Sequence, residues 1–181
     1  FGASGAYAGR IVTFSALEVT SPGGLRLSAK GQVPVADQGL DVSLQGSAPL
    51  ALLNPLVLSR GGQASGTATL SARVTGSLAA PRYAGKVSIA GASYTDPGAN
   101  VRLNAITGTA TLSGETLAID RADAQVATGG TVSASGTISL AAPAYNADLA
   151  IVLAHARYVD QTLFVATASG NLTVKGPLAQ G

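Results

Sequence analysis

Thr131-Val132-Ser133-Ala134-Ser135-Gly136-Thr137-Ile138-Ser139-Leu140 places an aliphatic or small residue at every even position and a hydroxyl at every odd one. Successive side chains of a β-strand point to opposite faces, so the stretch reads as a strand with one apolar and one polar face. A helix would scatter both sets around its circumference.

The same alternation extends through most of the chain. Leu25, Leu27, Ala29, Gly31, Val33 and Val35 oppose Arg26, Ser28, Lys30, Gln32 and Pro34. Leu40, Val42 and Leu44 oppose Asp41, Ser43 and Gln45, and Leu70, Ala72 and Val74 oppose Ser71, Arg73 and Thr75. Val87 with Ile89, Val101 with Leu103, Leu112, Leu117 with Ile119, and Leu149 with Ile151 and Leu153 continue the apolar side. Leu163 with Val165 and Leu172 with Val174 complete it. Around Ala16-Leu17 the phase slips, since Val12 and Phe14 precede while Leu17 and Val19 follow, which predicts a bulge or corner.

Turns are expected at Ser21-Pro22-Gly23-Gly24, Asp37-Gln38-Gly39, Asp96-Pro97-Gly98, Gly129-Gly130 and Ala142-Pro143. They divide the chain into roughly a dozen short strands. The almost continuously apolar run over 49–58 carries Pro49 and Pro55, and reads as one short irregular helix lying on or plugging the apolar face. The fold class is therefore all-β.

Composition says what that sheet can do with its apolar face. Hydrophobic residues make up 46% of the 181, but aromatics only 4%, with no Trp, Met or Cys, so a globular core would lack bulk. Charged residues are 11%, against roughly 25% in ordinary soluble domains. Such a chain belongs near lipid or keeps an exposed apolar face for a visitor. The pattern alone leaves a closed, dry sandwich core equally open.

The formal net charge of +2, with Lys and Arg scattered singly, excludes a nucleic-acid footprint. Without Cys there is neither a disulfide nor a thiolate metal site, and no run reaches the roughly 20 apolar residues of a membrane-spanning helix. The one histidine, His155, gives a catalytic triad or histidine metal site nothing to build on, so it reads as structural or surface. Asp120 and Asp123 flank Arg121 without any calcium-loop spacing, and 61–67 lacks the lysine of a phosphate loop. No catalytic residue, metal site or cofactor is expected, and the chain is not expected to be an enzyme.

Two phrases recur. Val74-Thr75-Gly76-Ser77-Leu78-Ala79 returns as Val174-Lys175-Gly176-Pro177-Leu178-Ala179, a spacing of 100 residues (76 to 176). Leu27-Ser28-Ala29-Lys30-Gly31-Gln32-Val33 returns as Val132-Ser133-Ala134-Ser135-Gly136-Thr137-Ile138, a spacing of 105 (31 to 136). The expectation is that 1–181 is a single fragment of a repetitive sheet, with cut ends and somewhat under two copies of a unit of ~100 residues.

These phrases, with Gly66-Thr67-Ala68-Thr69-Leu70, Ala80-Pro81, Gly85-Lys86-Val87-Ser88-Ile89 and Gly170-Asn171-Leu172-Thr173, resemble the repeated pattern of the C-terminal region of the AsmA-like TamB family. Members are inner-membrane-anchored subunits of the bacterial translocation and assembly module. The resemblance covers nearly all of the chain from about Leu25, and implies a long periplasmic protein whose sheet curls into an open trough, a β-taco, with an apolar interior. It further implies a trough that shuttles phospholipid between inner and outer membranes and supports outer-membrane biogenesis, including assembly of outer-membrane proteins and autotransporters. The partners implied are phospholipid acyl chains and, through other parts of the protein, a TamA-like outer-membrane barrel.

On this reading the apolar series named above, from Leu25 to Val174, lines the lipid groove. The alternative is an autotransporter-type adhesin passenger with a dry β-helix core. An outer-membrane barrel is disfavoured by too few Tyr and Phe for two aromatic girdles.

Overall fold

A computed structural model describes residues 2–8, 11–35, 38–54, 61–140, 145–160 and 164–177. Among the described residues eleven strands form one sheet in strict sequence order, every neighbouring pair antiparallel. The first five are β1 (Gly2–Ala8), β2 (Ile11–Thr20), β3 (Arg26–Pro34), β4 (Gln38–Pro49) and β5 (Gln63–Ser77). The rest are β6 (Pro81–Asp96), β7 (Val101–Ser113), β8 (Thr116–Val126), β9 (Thr131–Ser139), β10 (Asn146–Val159) and β11 (Val165–Pro177).

This is an all-β, elongated curled sheet. Neighbouring strands sit about 4.8 Å apart, so the row of eleven extends roughly 48 Å across the strands. β1 and β11 are its two edges, and no described strand joins them into a barrel. The all-antiparallel meander also differs from the parallel β-helix that a dry adhesin passenger would need.

Of the helix expected over 49–58, the described residues show a 3₁₀ turn, Leu50–Leu53, that runs into helical backbone at Asn54, while 55–58 lie outside the described residues. It packs against β5 at the rim of the sheet, with Asn54 Oδ1 accepting a 2.8 Å hydrogen bond from the Ala64 backbone N–H. Pro49 precedes it in extended backbone. The expected turns at 21–24, 96–98 and 129–130 are present, while 142–143 lie outside the described residues. A further two-residue turn at Gly114-Glu115 joins β7 to β8.

The slip expected near Ala16-Leu17 is a register shift between Phe14 and Leu17, where β2 carries one residue more than β3. Comparable bulges recur at one level of the sheet on three consecutive strands: between Ile89 and Ser93 of β6, opposite Ser65–Thr67 of β5, at Asn104–Thr107 of β7 and at Ile119–Ala122 of β8. A bulge bends its strand and sharpens the twist, so bulges aligned on adjacent strands crease the whole sheet. Gly66 (φ 107°), Gly91 (φ 66°) and Ala105 (φ 50°) supply the left-handed backbone at that crease.

Alanine at φ 50° carries a steric cost that glycine does not. Ala105→Gly is therefore expected to raise stability by about 0.5–1 kcal/mol, measured as a higher urea midpoint at unchanged slope.

The crease has a visible consequence. β7 and β10 are three strand spacings apart, about 14 Å in a flat sheet, yet Asn100 Nδ2 donates a 2.7 Å hydrogen bond to the Val159 carbonyl. The intervening β8–β9 turn is held between them, with Ala127 N–H bonded to the Arg102 carbonyl and Arg157 N–H to the Gly129 carbonyl, both at 2.9 Å.

Candidate functional site: an unfilled aliphatic face

Cross-strand partners show how the alternation assembles. One row runs Val19, Leu27, Gly46, Leu70, Val87, Ala110, Ile119, Gly136, Leu149, Val174, each residue directly opposite the next across ten strands. A second runs beside it through Leu17, Ala29, Leu44, Ala72, Gly85, Leu112, Leu117, Ile138 and Ala147 to Gly176. A third carries Ala68, Ile89, Gly108, Ala122, Ala134, Ile151 and Leu172. Each row lies along the long axis of the sheet, and none contains a polar side chain.

The remaining positions expected to line the groove fall around these rows. Val42 pairs with Val74, Leu40 with Gly76 and Val33 with Val12. Leu103 lies between Tyr94 and Val126, Val132 between Ala124 and Leu153, and Val101 opposite Asp96 at the end of β7. Leu25 is half-buried just before β3, and Leu140 is exposed just after β9. Leu163 lies outside the described residues.

Val165 needs correction. The register of β11 puts Val174, Leu172, Gly170, Ala168 and Ala166 on one side, so Val165 shares the other with Thr167, Ser169 and Asn171. β11 carries no extra residue, so its own alternation puts Val165 on the polar side, and its partner Val159 joins it there because β10 carries one extra residue between Leu153 and Ala156. Tyr83, opposite Val74, joins the apolar side although its strand begins without clear alternation.

The face is apolar but not packed. The only buried hydrophobic residues described are Ala29, Ala92, Ala124 and Ala147, and no large side chain is fully buried. Apart from the 3₁₀ turn against β5, substantial contacts among the described residues run only between consecutive strands, so no second layer formed by the described residues covers the aliphatics. The accessible surface, 11345 Å², compares with roughly 7,900 Å² for a compact monomer of this mass. Leu, Val and Ile here are half-covered by strand neighbours and left without a roof.

The opposite face is hydrophilic. Thr69 and Ser88 hydroxyls meet at 2.7 Å, Ser65 and Ser93 at 2.8 Å, and Lys175 pairs with Asp148 at 2.9 Å. A hollow lined by Thr13, Ser15, Lys30, Asp41, Ser43 and Arg73 lies on this side, and its charges suit no acyl chain. Asp120 accepts from Thr111, and Asp123 binds Arg121 at 2.5 Å and Ser133 at 2.8 Å, so these acids are engaged in protein contacts. No group of three metal-ligating side chains occurs among the described residues. His155, exposed at φ 51°, occupies the β10 bulge with its backbone N–H on Ser169 Oγ.

Two carboxyls on the hydrophilic face are perturbed. The hydrogen bond from Arg73 holds Asp41 below its ordinary value, and Arg121, then Ser133, do the same for Asp123. A depressed folded value means stability that is present above the ordinary range near 3.9 and is lost as pH falls through the folded value. Both ion pairs are solvent-exposed, so the effect is small. Urea midpoints should be flat between about pH 7 and 5 and decline below about 4, with a shallower decline in Asp41→Asn.

Among the described residues no helix is long and apolar enough to cross a membrane. No curated protein and no solved structure matches the chain. A scan against family models matches residues 115–181 to TamB, described as the TamB C-terminal domain, over β8 to β11 and the hairpin turn before them. That segment contains two of the phrases on which the resemblance rests, at 129–136 and 170–178. Residues 115–181 are thus similar to the TamB C-terminal domain.

Proposed function

We propose that the aliphatic face is a trough that holds phospholipid acyl chains and lets them slide between inner and outer membranes, within the periplasmic part of an inner-membrane-anchored protein. The observation that carries this reading is three continuous aliphatic rows, crossing up to ten strands, with no layer of the described residues packed on them. Each enclosed methylene gains about 0.8 kcal/mol, so a chain of roughly 16 carbons gains on the order of 10 kcal/mol if covered and less in an open groove. With no polar side chain in the rows, successive positions offer similar energies and no lodging point. On this reading the protein supports outer-membrane biogenesis, including outer-membrane protein and autotransporter assembly with a TamA-like barrel. It makes and breaks no bond.

The test places a charge in the rows. Ile138→Asp and Ile151→Asp should each reduce photo-crosslinking to a phospholipid carrying an acyl-chain probe by about tenfold, since a carboxylate among apolar chains costs several kcal/mol. Ser135→Asp, on the exposed hydrophilic face, should leave it within about twofold. Equal loss in all three would contradict an acyl chain on the aliphatic face.

A further inference from the structure

Two of the bulges reorient tyrosines. In β6, Tyr83, Gly85, Val87 and Ile89 stand on the aliphatic side at odd positions, so unbroken alternation would send Tyr94 to the hydrophilic side. The extra residue that β6 carries between Ile89 and Ser93 returns Tyr94 to the aliphatic side, opposite Leu103. In β10, Leu149, Ile151 and Leu153 set the same odd phase, and the extra residue before Ala156 brings Tyr158 round to the aliphatic side, opposite Ala166. Two separate breaks in the ladder thus place a tyrosine where alternation would not.

Both tyrosines lie at one rim. Tyr94 is two residues from the end of β6 and Tyr158 one from the end of β10, and these strands run in the same direction. The three aliphatic rows, by contrast, contain no aromatic side chain. Each tyrosine is half-buried. The Tyr94 hydroxyl makes a long hydrogen bond, 3.4 Å, to Oδ2 of Asp96, the last residue of its strand, so its polar end is directed to the rim. The Tyr158 ring stands 6.0 Å from that of Phe164, which is 55% exposed. An exposed arginine accompanies each: Arg102 pairs with Thr95, next to Tyr94, and Arg157 precedes Tyr158. Neither arginine has an ion pair among the described residues. Of the nearby acids, Asp96 accepts from the Ala99 N–H at 3.0 Å and Asp160 is engaged as well.

We propose that Tyr94 and Tyr158 are boundary anchors for the polar end of a phospholipid. The ring borders the acyl chains, the hydroxyl donates to an ester or phosphate oxygen at the rim, and Arg102 or Arg157 offsets the phosphate charge. A side chain with an apolar body and a polar tip settles where apolar surface meets water, as tyrosine does at membrane interfaces. The aliphatic rows leave a lipid free to move along the sheet, and the tyrosines set its depth across it. This rests on the reading that the trough holds phospholipid.

The chain has no tryptophan, so Tyr94→Trp, Tyr158→Trp and, within a row, Ile151→Trp each carry a unique fluorophore. The probes are phosphatidylcholine with a nitroxide on the headgroup and phosphatidylcholine with a nitroxide at the end of an acyl chain. Each is loaded from vesicles that gel filtration then removes, with circular dichroism showing all three variants folded. The headgroup nitroxide should quench Tyr94→Trp and Tyr158→Trp at least about twofold more than the chain nitroxide, and Ile151→Trp should show the reverse order. If the chain nitroxide quenches Ile151→Trp but either rim position lacks the headgroup preference, the anchors are overturned and the trough stands. Quenching at the rim alone overturns the anchors too, since the lipid they meet is not held by the rows. No quenching at any of the three positions overturns both the anchors and the trough.

Discussion

Gly136→Ala should lower stability by about 2–4 kcal/mol, a large part of the 5–15 kcal/mol typical of a folded domain. A Cβ at Gly136 would lie 2.1 Å from the Asp148 carbonyl oxygen and 2.9 Å from the Leu149 Cα, and φ is 143°. Both contacts are backbone of the neighbouring strand, so relief requires β9 and β10 to separate where Gly136 pairs with Leu149. Gly170→Ala is the matched control: a Cβ there meets nothing within 4 Å. It should be neutral, or stabilising by a few tenths of a kcal/mol through the unfolded chain. Urea unfolding of both variants measures the difference, and Gly31→Ala should resemble Gly136→Ala.

The second large effect separates an open trough from a filled core. Ala110 lies mid-row between Val87 and Ile119 and is half-buried. In a packed interior an indole at this site would cost several kcal/mol through displaced neighbours. With no layer above, Ala110→Trp should shift stability by less than about 1 kcal/mol. The same ring would cover wall that an acyl chain otherwise occupies, and losing two methylene contacts at about 0.8 kcal/mol each weakens lipid binding by about tenfold. Retained unfolding midpoint with lost lipid is the expected pair of results.

The legible and illegible parts of the sheet differ for a physical reason. Period-two alternation is local, so β9, over Thr131–Ser139, was readable residue by residue, as was the phase slip in β2. The crease was not. It depends on bulges coinciding on three neighbouring strands, and two of its left-handed or bulged positions, Ala105 and the pair Asp120–Arg121, are residue types with no bulge preference. Val165 was legible by contrast: β11 carries no extra residue, so counting in twos from Val174 and Leu172 already puts Val165 on the other face.

The glycines of the rows have a double role that composition could not reveal. Gly46, Gly85 and Gly136 all face the aliphatic side, and a Cβ at each would meet backbone of an adjacent strand at less than 3 Å. Close strand approach on that side is what a concave wall requires, and the missing side chains keep its floor low. The same residues thus curl the sheet and leave room in it.

Organic extraction of the folded chain, purified without detergent from bacterial membranes and analysed by mass spectrometry, bears most directly on whether the aliphatic rows receive a visitor. Phospholipid at near-equimolar amounts, reduced about tenfold in Ala110→Trp, is the outcome expected of an unroofed apolar wall. A folded chain that emerges free of lipid, with Ala110→Trp destabilised by several kcal/mol, would mean that the wall is closed by the protein itself.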